Sequence, residues 1–159
     1  MPAETPGEAL SAALEREHQE VDAGIAAFLA SVDAGTADAD GLHTTLEALR
    51  RHIYLEERIL FPPIRHGGMV MALAVMMQEH GEIWHTMDAL ADLVAAGGDS
   101  DRIRETGRQL LTQLEAHNDK EEPVIYPAAD TGLQPEKSAE LADFISTGLM
   151  PDSWVCREA

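Results

Sequence analysis

His52 and Glu56 stand four residues apart, and so do His117 and Glu121. Both pairs lie inside one repeated phrase, "HIYLEERILFP" (52–62) and "HNDKEEPVIYP" (117–127). Each copy reads His, three residues, Glu-Glu, one variable residue, two apolar residues, an aromatic ring and Pro. On an α-helix, residues i and i+4 share a face, with Cβ atoms about 5–6 Å apart. An imidazole and a carboxylate so placed can share one metal ion, and a carboxylate can bridge two ions. Taken alone, such a pair is more commonly a solvated surface pair, so its context decides.

That context is apolar. His52 follows Leu42, Leu46 and Leu49, and His117 follows Leu110 and Leu114, at spacings that keep each on or near a hydrophobic stripe. Two further imidazoles sit on stripes of their own: His18 between Leu14 and Val21, and His80 after Leu73, Met76 and Met77. A buried His–Glu pair without partners is costly, and a metal ion between helices would supply them. Four imidazoles and two carboxylates, with no thiolate, suit iron, manganese, zinc or copper. Two bridging carboxylates suit a pair of ions.

The elements that must position these groups are helical. Ala, Leu and Glu are abundant and β-branched residues are scattered, which favours helix over strand. Aromatics are only 4% of the chain, so aliphatic side chains and Met must fill the core. Thr5-Pro6-Gly7-Glu8 reads as a capping box opening a first helix through Leu10, Leu14, Val21, Ile25, Phe28 and Val32. A second carries Leu42 to Leu60 and is expected to stop at Pro62-Pro63. A third runs from about Met69 to a cap at Gly97-Gly98, its methionines filling the core. A fourth begins at Asp99 or Ser100 and is disturbed by Pro123. A short fifth helix covers about 135–148. The expected fold is all-α: an antiparallel four-helix bundle with a short C-terminal helix, in one domain over 1–159 whose bundle spans about 8–127.

Composition narrows the partners. Lys plus Arg is 11 and Asp plus Glu is 29, a net charge of −18, which repels phosphate backbones and argues against nucleic acid. Cys156 is the single cysteine, so no internal disulfide and no thiolate metal site is possible. No apolar run approaches the ~18 residues of a membrane span, and the first residues have no signal-peptide pattern. The expectation is a cytoplasmic protein without membrane partners; monomer and homo-oligomer both stay open.

At this point the residues resemble the hemerythrin-like, or HHE cation-binding, family. Its pattern is a His on the first helix, HxxxE on the second, a His on the third and HxxxE on the fourth. Here these are "EREH" ending at His18, His52 to Glu56, "MQEH" ending at His80, and His117 to Glu121. The resemblance implies two iron ions in an oxo- or hydroxo-bridged centre, held by His18, His52, Glu56, His80, His117 and Glu121. One feature departs from the oxygen-carrying members, which place a second His four residues along the third helix. Here that residue is Trp84, and His85 lies about 140° around the helix from His80. Three outcomes are open: water, His85 brought in by a π-bulge, or an oxygen ligand such as Tyr54. Tyr54 lies between His52 and Glu56 but about 200° from each on an ideal helix; its competing reading is packing against a neighbouring helix. Each metal-bound imidazole should also donate its outer N–H to a carboxylate or carbonyl. Glu17, Glu79, Asp119 and Glu122 are the nearby acids, with Glu57 and Glu122 read as surface or supporting groups.

Two functions follow from the resemblance. With a labile position, a diiron centre can react with hydrogen peroxide or O2; catalase-like disproportionation, a defence against oxidative stress, needs no second substrate and is the leading reading. The alternative is binding, sensing or storage of O2, nitric oxide or iron without turnover. A ferritin-like carboxylate protein is a weaker third reading. Glu15–His18 and Glu82–His85 fit its Glu-x-x-His motif, but on the wrong helices, and His52 and His117 would be left without roles.

Overall fold

The computed structural model describes residues 8–159. Thr5, which would open the capping box, lies outside the described residues, but the first helix starts later than that box requires: Glu8 and Ala9 are not helical, and Ala9 precedes Leu10 without a side-chain cap. The elements are α1 (Leu10–Asp33), α2 (Ala39–Leu55), a π-helical turn (Glu56–Leu60), α3 (Phe61–Ile64), α4 (Met69–Ala95), α5 (Ser100–Val124), α6 (Pro127–Thr131) and α7 (Pro135–Thr147). No strand occurs among the described residues. The four long helices pack in the ring α1, α2, α4, α5, with α1 closing against α5. The short C-terminal helix is α7. Among the described residues, no helix is long and apolar enough to cross a membrane.

The ends of the helices follow backbone chemistry. Asp38 and Asp99 cap α2 and α5 with side-chain oxygens that accept from Gly41 N and Asp101 N. After α1 and α4 the chain turns through Gly35 (φ 81) and Gly97 (φ 64). There Thr36 N bonds to Ser31 O, and Gly98 N to Leu93 O. Both are Schellman closures, which place a left-handed residue just past the helix.

The prolines behave differently from expectation. Pro62-Pro63 does not stop the second helix; the chain stays helical to Ile64. The compensation comes earlier, where the turn widens and Phe61 N bonds to Glu56 O, five residues back. The fourth helix repeats the device: α5 carries Pro123 to Val124, and Tyr126 N reaches Glu121 O. Each copy of the repeated phrase therefore widens one turn directly after its buried Glu.

Two apolar clusters flank the middle of the bundle. One joins Ile25, Phe28, Leu46, Ile83, Met87 and Leu110 with Trp84. The other joins Leu14, Leu55, Leu60, Phe61, Leu73 and Tyr126 with Leu141 of α7. Met76 and Met87 fill the core as expected, whereas Met71 is 74% exposed. Arg51 fastens α7 to α2: its guanidinium donates to Gly148 O (2.9 Å) and Ile145 O (3.2 Å), and it lies over the Phe144 ring.

Burial sets the stability expectation. Leu46→Ala, at a site 1% exposed, should destabilise the protein by about 2–5 kcal/mol. Leu149→Ala, at 86% exposure, should change stability by less than about 0.5 kcal/mol. Denaturant unfolding of both variants checks this; equal losses would place the core wrongly.

Candidate metal centre

The gap between the two apolar clusters is polar. His18 from α1, His52 from α2, His80 from α4 and His117 from α5 meet there, with Glu56 and Glu121 between them. All six are buried; Glu56 is 1% and Glu121 0% exposed. The donors form two groups, His18–His52–Glu56–Glu121 and Glu56–His80–His117–Glu121. Within each, one ligand atom per residue lies within 4.8 Å of all the others. Both carboxylates belong to both groups.

The two halves are related by an approximate two-fold repeat. Glu56 Oε1 stands 3.2 Å from His80 Nε2 and 3.6 Å from His52 Nε2. Glu121 Oε1 stands 3.2 Å from His18 Nε2, and its Oε2 3.4 Å from His117 Nε2. The inner faces of all four rings thus present Nε2. Outside, His52 Nδ1 meets Glu17 (3.0 Å), His117 Nδ1 meets Glu79 (2.9 Å) and His80 Nδ1 meets Glu57 (2.6 Å). His18 Nδ1 is 3.6 Å from Glu122 and has no hydrogen-bond partner among the described residues. Of the acids expected to support imidazoles, Glu17 and Glu79 do so. Glu122 only approaches, Asp119 is exposed, and Glu57, read as a surface or supporting group, is a buried support.

The repeated phrase also delivers its aromatic rings here. In an α-helix, the residue five after Glu56 or Glu121 would be about 140° away. The widened turns bring both rings round. Phe61 stacks on His80 with an interplanar angle of 9°, and Tyr126 stacks on His18 at 29°. Tyr126 is fully buried, and its hydroxyl is 2.7 Å from His18 Nε2, 2.9 Å from His52 Nε2 and donates to Glu56 Oε2 at 3.0 Å. Sequence reasoning missed this residue. The available signal was an aromatic at the same place in both phrases, five after a buried Glu and just before Pro.

Two candidates of the sequence analysis fall away. Tyr54 is half-buried and packs against Phe144 and edge-on to Trp154, outside both donor groups. Its position 200° from the ligands was decisive. His85 is exposed on a helix that stays regular through this region, because the π turn formed in the second helix rather than the third. Trp84, at the place of the second third-helix His, is buried between Trp154 and Arg50. A small cavity of about 10 Å³ adjoins the cluster, walled by Leu49, Ile53, Ile83, Leu114 and Asn118 together with the four imidazoles and Glu56. That is about the room one water-sized molecule needs.

The residues fit a bound cation. Both oxygens of Glu121 and Nε2 of His80 are buried without a hydrogen bond among the described residues, each an orphan worth about 1–3 kcal/mol. Positive charge between them would satisfy all three, and nitrogen and carboxylate donors without sulfur suit first-row metal ions. Without metal, protons supply that charge. Burial alone would lower the His117 pKa, but the negative charge of Glu121, with the hydrogen bond to Glu79, raises it to about 10. His52 is likewise held well above the ordinary imidazole value, burial being outweighed by Glu56 and Glu17. Glu121, despite burial, is held well below the usual carboxylate range by His117 and His18. Burial and the charges of Glu121 and Glu56 push the Tyr126 phenol well up, so it keeps its proton.

The sign of the pH effect follows. A raised imidazole pKa stabilises the metal-free fold fully below the ordinary 6.5, and this contribution is lost as pH rises through about 10. Metal ions need the same nitrogens deprotonated, so loading releases protons and strengthens with pH. Thermal unfolding in chelator should therefore show Tm falling from pH 6.5 towards 10, while the increment added by metal grows. A metal increment that shrinks with rising pH would contradict the protonated cluster.

No curated protein and no solved structure matches the chain. The family described as the Hemerythrin HHE cation binding domain matches residues 8–129, a stretch that holds the four long helices, all six converging ligand candidates and Tyr126. The chain belongs to the hemerythrin HHE cation-binding family.

Proposed function

We propose that the six side chains hold two iron ions and that the loaded protein disproportionates hydrogen peroxide. The observation that carries the two-ion reading is the pair of overlapping donor groups that share Glu56 and Glu121. His18 and His52 would hold one ion and His80 and His117 the other, with the carboxylates common to both. When bound, an iron pair supplies two-electron redox capacity: one peroxide is oxidised to O2 and another reduced, so two H2O2 give two H2O and one O2.

The chain's own residues supply the rest. Tyr126 holds a proton at its hydroxyl, donated to Glu56 and beside His18 and His52. That places an acid in one half of the centre, within reach of a small substrate. Phe61, its counterpart in the other half, offers only a hydrocarbon face to His80. That half has no phenol donor. Leu49, Ile53, Ile83 and Leu114 keep bulk water away, and the roughly 10 Å³ cavity admits only very small molecules. A surface pocket between α1 and α5 reaches His18 and Asn118, which also line that cavity, and it offers an approach. The closed apolar wall also suits reversible binding of O2 or nitric oxide without turnover, the second reading.

Iron-loaded protein should release oxygen from added peroxide. Tyr126→Phe should keep its iron and lose about 10²-fold or more in rate. No oxygen release by fully loaded protein would remove the peroxidatic reading and leave the binding one. His52→Ala and His117→Ala should each lose stoichiometric iron; two ions per chain retained in both would remove the site itself.

A further inference from the structure

The segment after α7 lies beyond the matched family region, which ends at residue 129. It turns through Ser153 in the left-handed region (φ 61) and folds back onto the bundle. Trp154 packs edge-on against Trp84 and Tyr54. Cys156 is 3% exposed and joins the core. Its thiol is pushed up to about 12, by burial and then by the nearby Glu57 carboxylate, which makes it an anchor rather than a nucleophile.

Two contacts carry the tail to the centre. Gly81, next to His80 in the middle of α4, lies against the tail backbone: a Cβ there would stand 2.3 Å from Glu158 O. A glycine inside a helix is otherwise unfavourable, and this approach gives it a reason. Beside it, Arg157 N donates to Glu57 Oε1 at 3.1 Å, while Glu57 Oε2 meets His80 Nδ1 at 2.6 Å. One carboxylate thus links the tail backbone to an imidazole of the centre.

The repeat supplies an internal control. Glu122 occupies the place of Glu57 in the other half. Its side chain is 32% exposed against 3% for Glu57, and it stands 3.6 Å from His18 Nδ1 without bonding. The same residue in the same phrase is engaged only where the tail seals it.

From this we infer that residues 154–159 form a working part of the metal centre. Through Arg157 N–H and Gly81 they lock Glu57 onto His80, and so make the two metal positions unequal. Glu57 and Arg157 are positioning residues. The inference rests on the two-ion reading given above.

Gly81→Ala tests it, since alanine strengthens α4 while its methyl group displaces the tail. Arg157→Pro is the second variant: it removes the N–H, together with an exposed side chain, and fixes φ. In 15N-labelled, metal-free protein the His80 Nδ1 proton should appear as a slowly exchanging low-field ring signal, and both variants should lose it. In Co²⁺ titrations of the full chain, both should weaken one of two binding steps on the order of 10- to 100-fold and leave the other unchanged. Glu57→Gln should weaken the same step, and adding Arg157→Pro to it should cost nothing more. Glu122→Gln should leave the affinity of both steps unchanged. An unchanged ring signal in both variants overturns the inference, as does full additivity with Glu57→Gln. Wild-type protein taking up fewer than two ions would instead remove the two-ion reading, and the ring signal would still decide the tail's role.

Discussion

Two carboxyl groups and four imidazoles share the middle of a bundle whose walls are leucine, isoleucine and valine. Charge removed from water costs several kcal/mol per ion unless it is paired and hydrogen-bonded. Most of the polar structure of this protein answers that constraint. Protons on His52, His80 and His117 balance the metal-free cluster, and Glu17, Glu57 and Glu79 steady the rings from outside. The orphaned oxygens of Glu121 and the orphaned nitrogen of His80 mark where protons alone fall short. A divalent cation satisfies what an imidazolium reaches only in part, because it accepts several donors at once.

The fold meets this demand by duplication. Each half contributes a Glu-His pair on one helix and the long phrase on the next. In each half the first Glu supports the ring on the neighbouring helix rather than its own neighbour: Glu17 serves His52, and Glu79 serves His117. Such cross-helix bonds fix helix rotation as well as ring tautomer. The duplication is then broken in two places. A phenol stands in one half where a phenyl stands in the other, and the tail closes over Glu57. Both differences act around a shared pair of carboxylates, so the two overlapping donor groups have different surroundings.

Much of this was legible in the residues. The apolar stripes, the capping Asp99 and the glycines after the helices are local features, and they define α4, α5 and the end of α1 closely, whereas α1 opens at Leu10 and not at the expected capping box. The ligand candidates were legible because the four-residue spacing of His and Glu survives in a regular helix. Tyr126 was not, because its position depends on a turn that closes over five residues. That widening takes in one extra residue, about 100° of ordinary helix, and so shifts everything downstream by roughly a quarter of a turn. Ideal helix geometry applied past Glu56 or Glu121 therefore aims the aromatic ring away from the centre. The same assumption made Pro62-Pro63 look like a stop, whereas the wider turn lets the helix continue to Ile64. The acids supporting the rings were ambiguous for a related reason. Asp119, Glu122 and Glu57 all lie within a few residues of a ligand, and only the crossing of the helices selects among them.

By itself, the sequence determined what depends on short spacing: four amphipathic helices, a paired His–Glu motif, and a donor set without thiolate. Tertiary structure alone decided which tyrosine enters the centre, which acid grips which ring, and that the last six residues fold back onto Glu57. These outcomes rest on contacts between residues far apart in the chain, such as Tyr126 with His18 and Arg157 with Glu57. Periodicity along one helix carries no information about such pairs, because they exist only once the helices have packed.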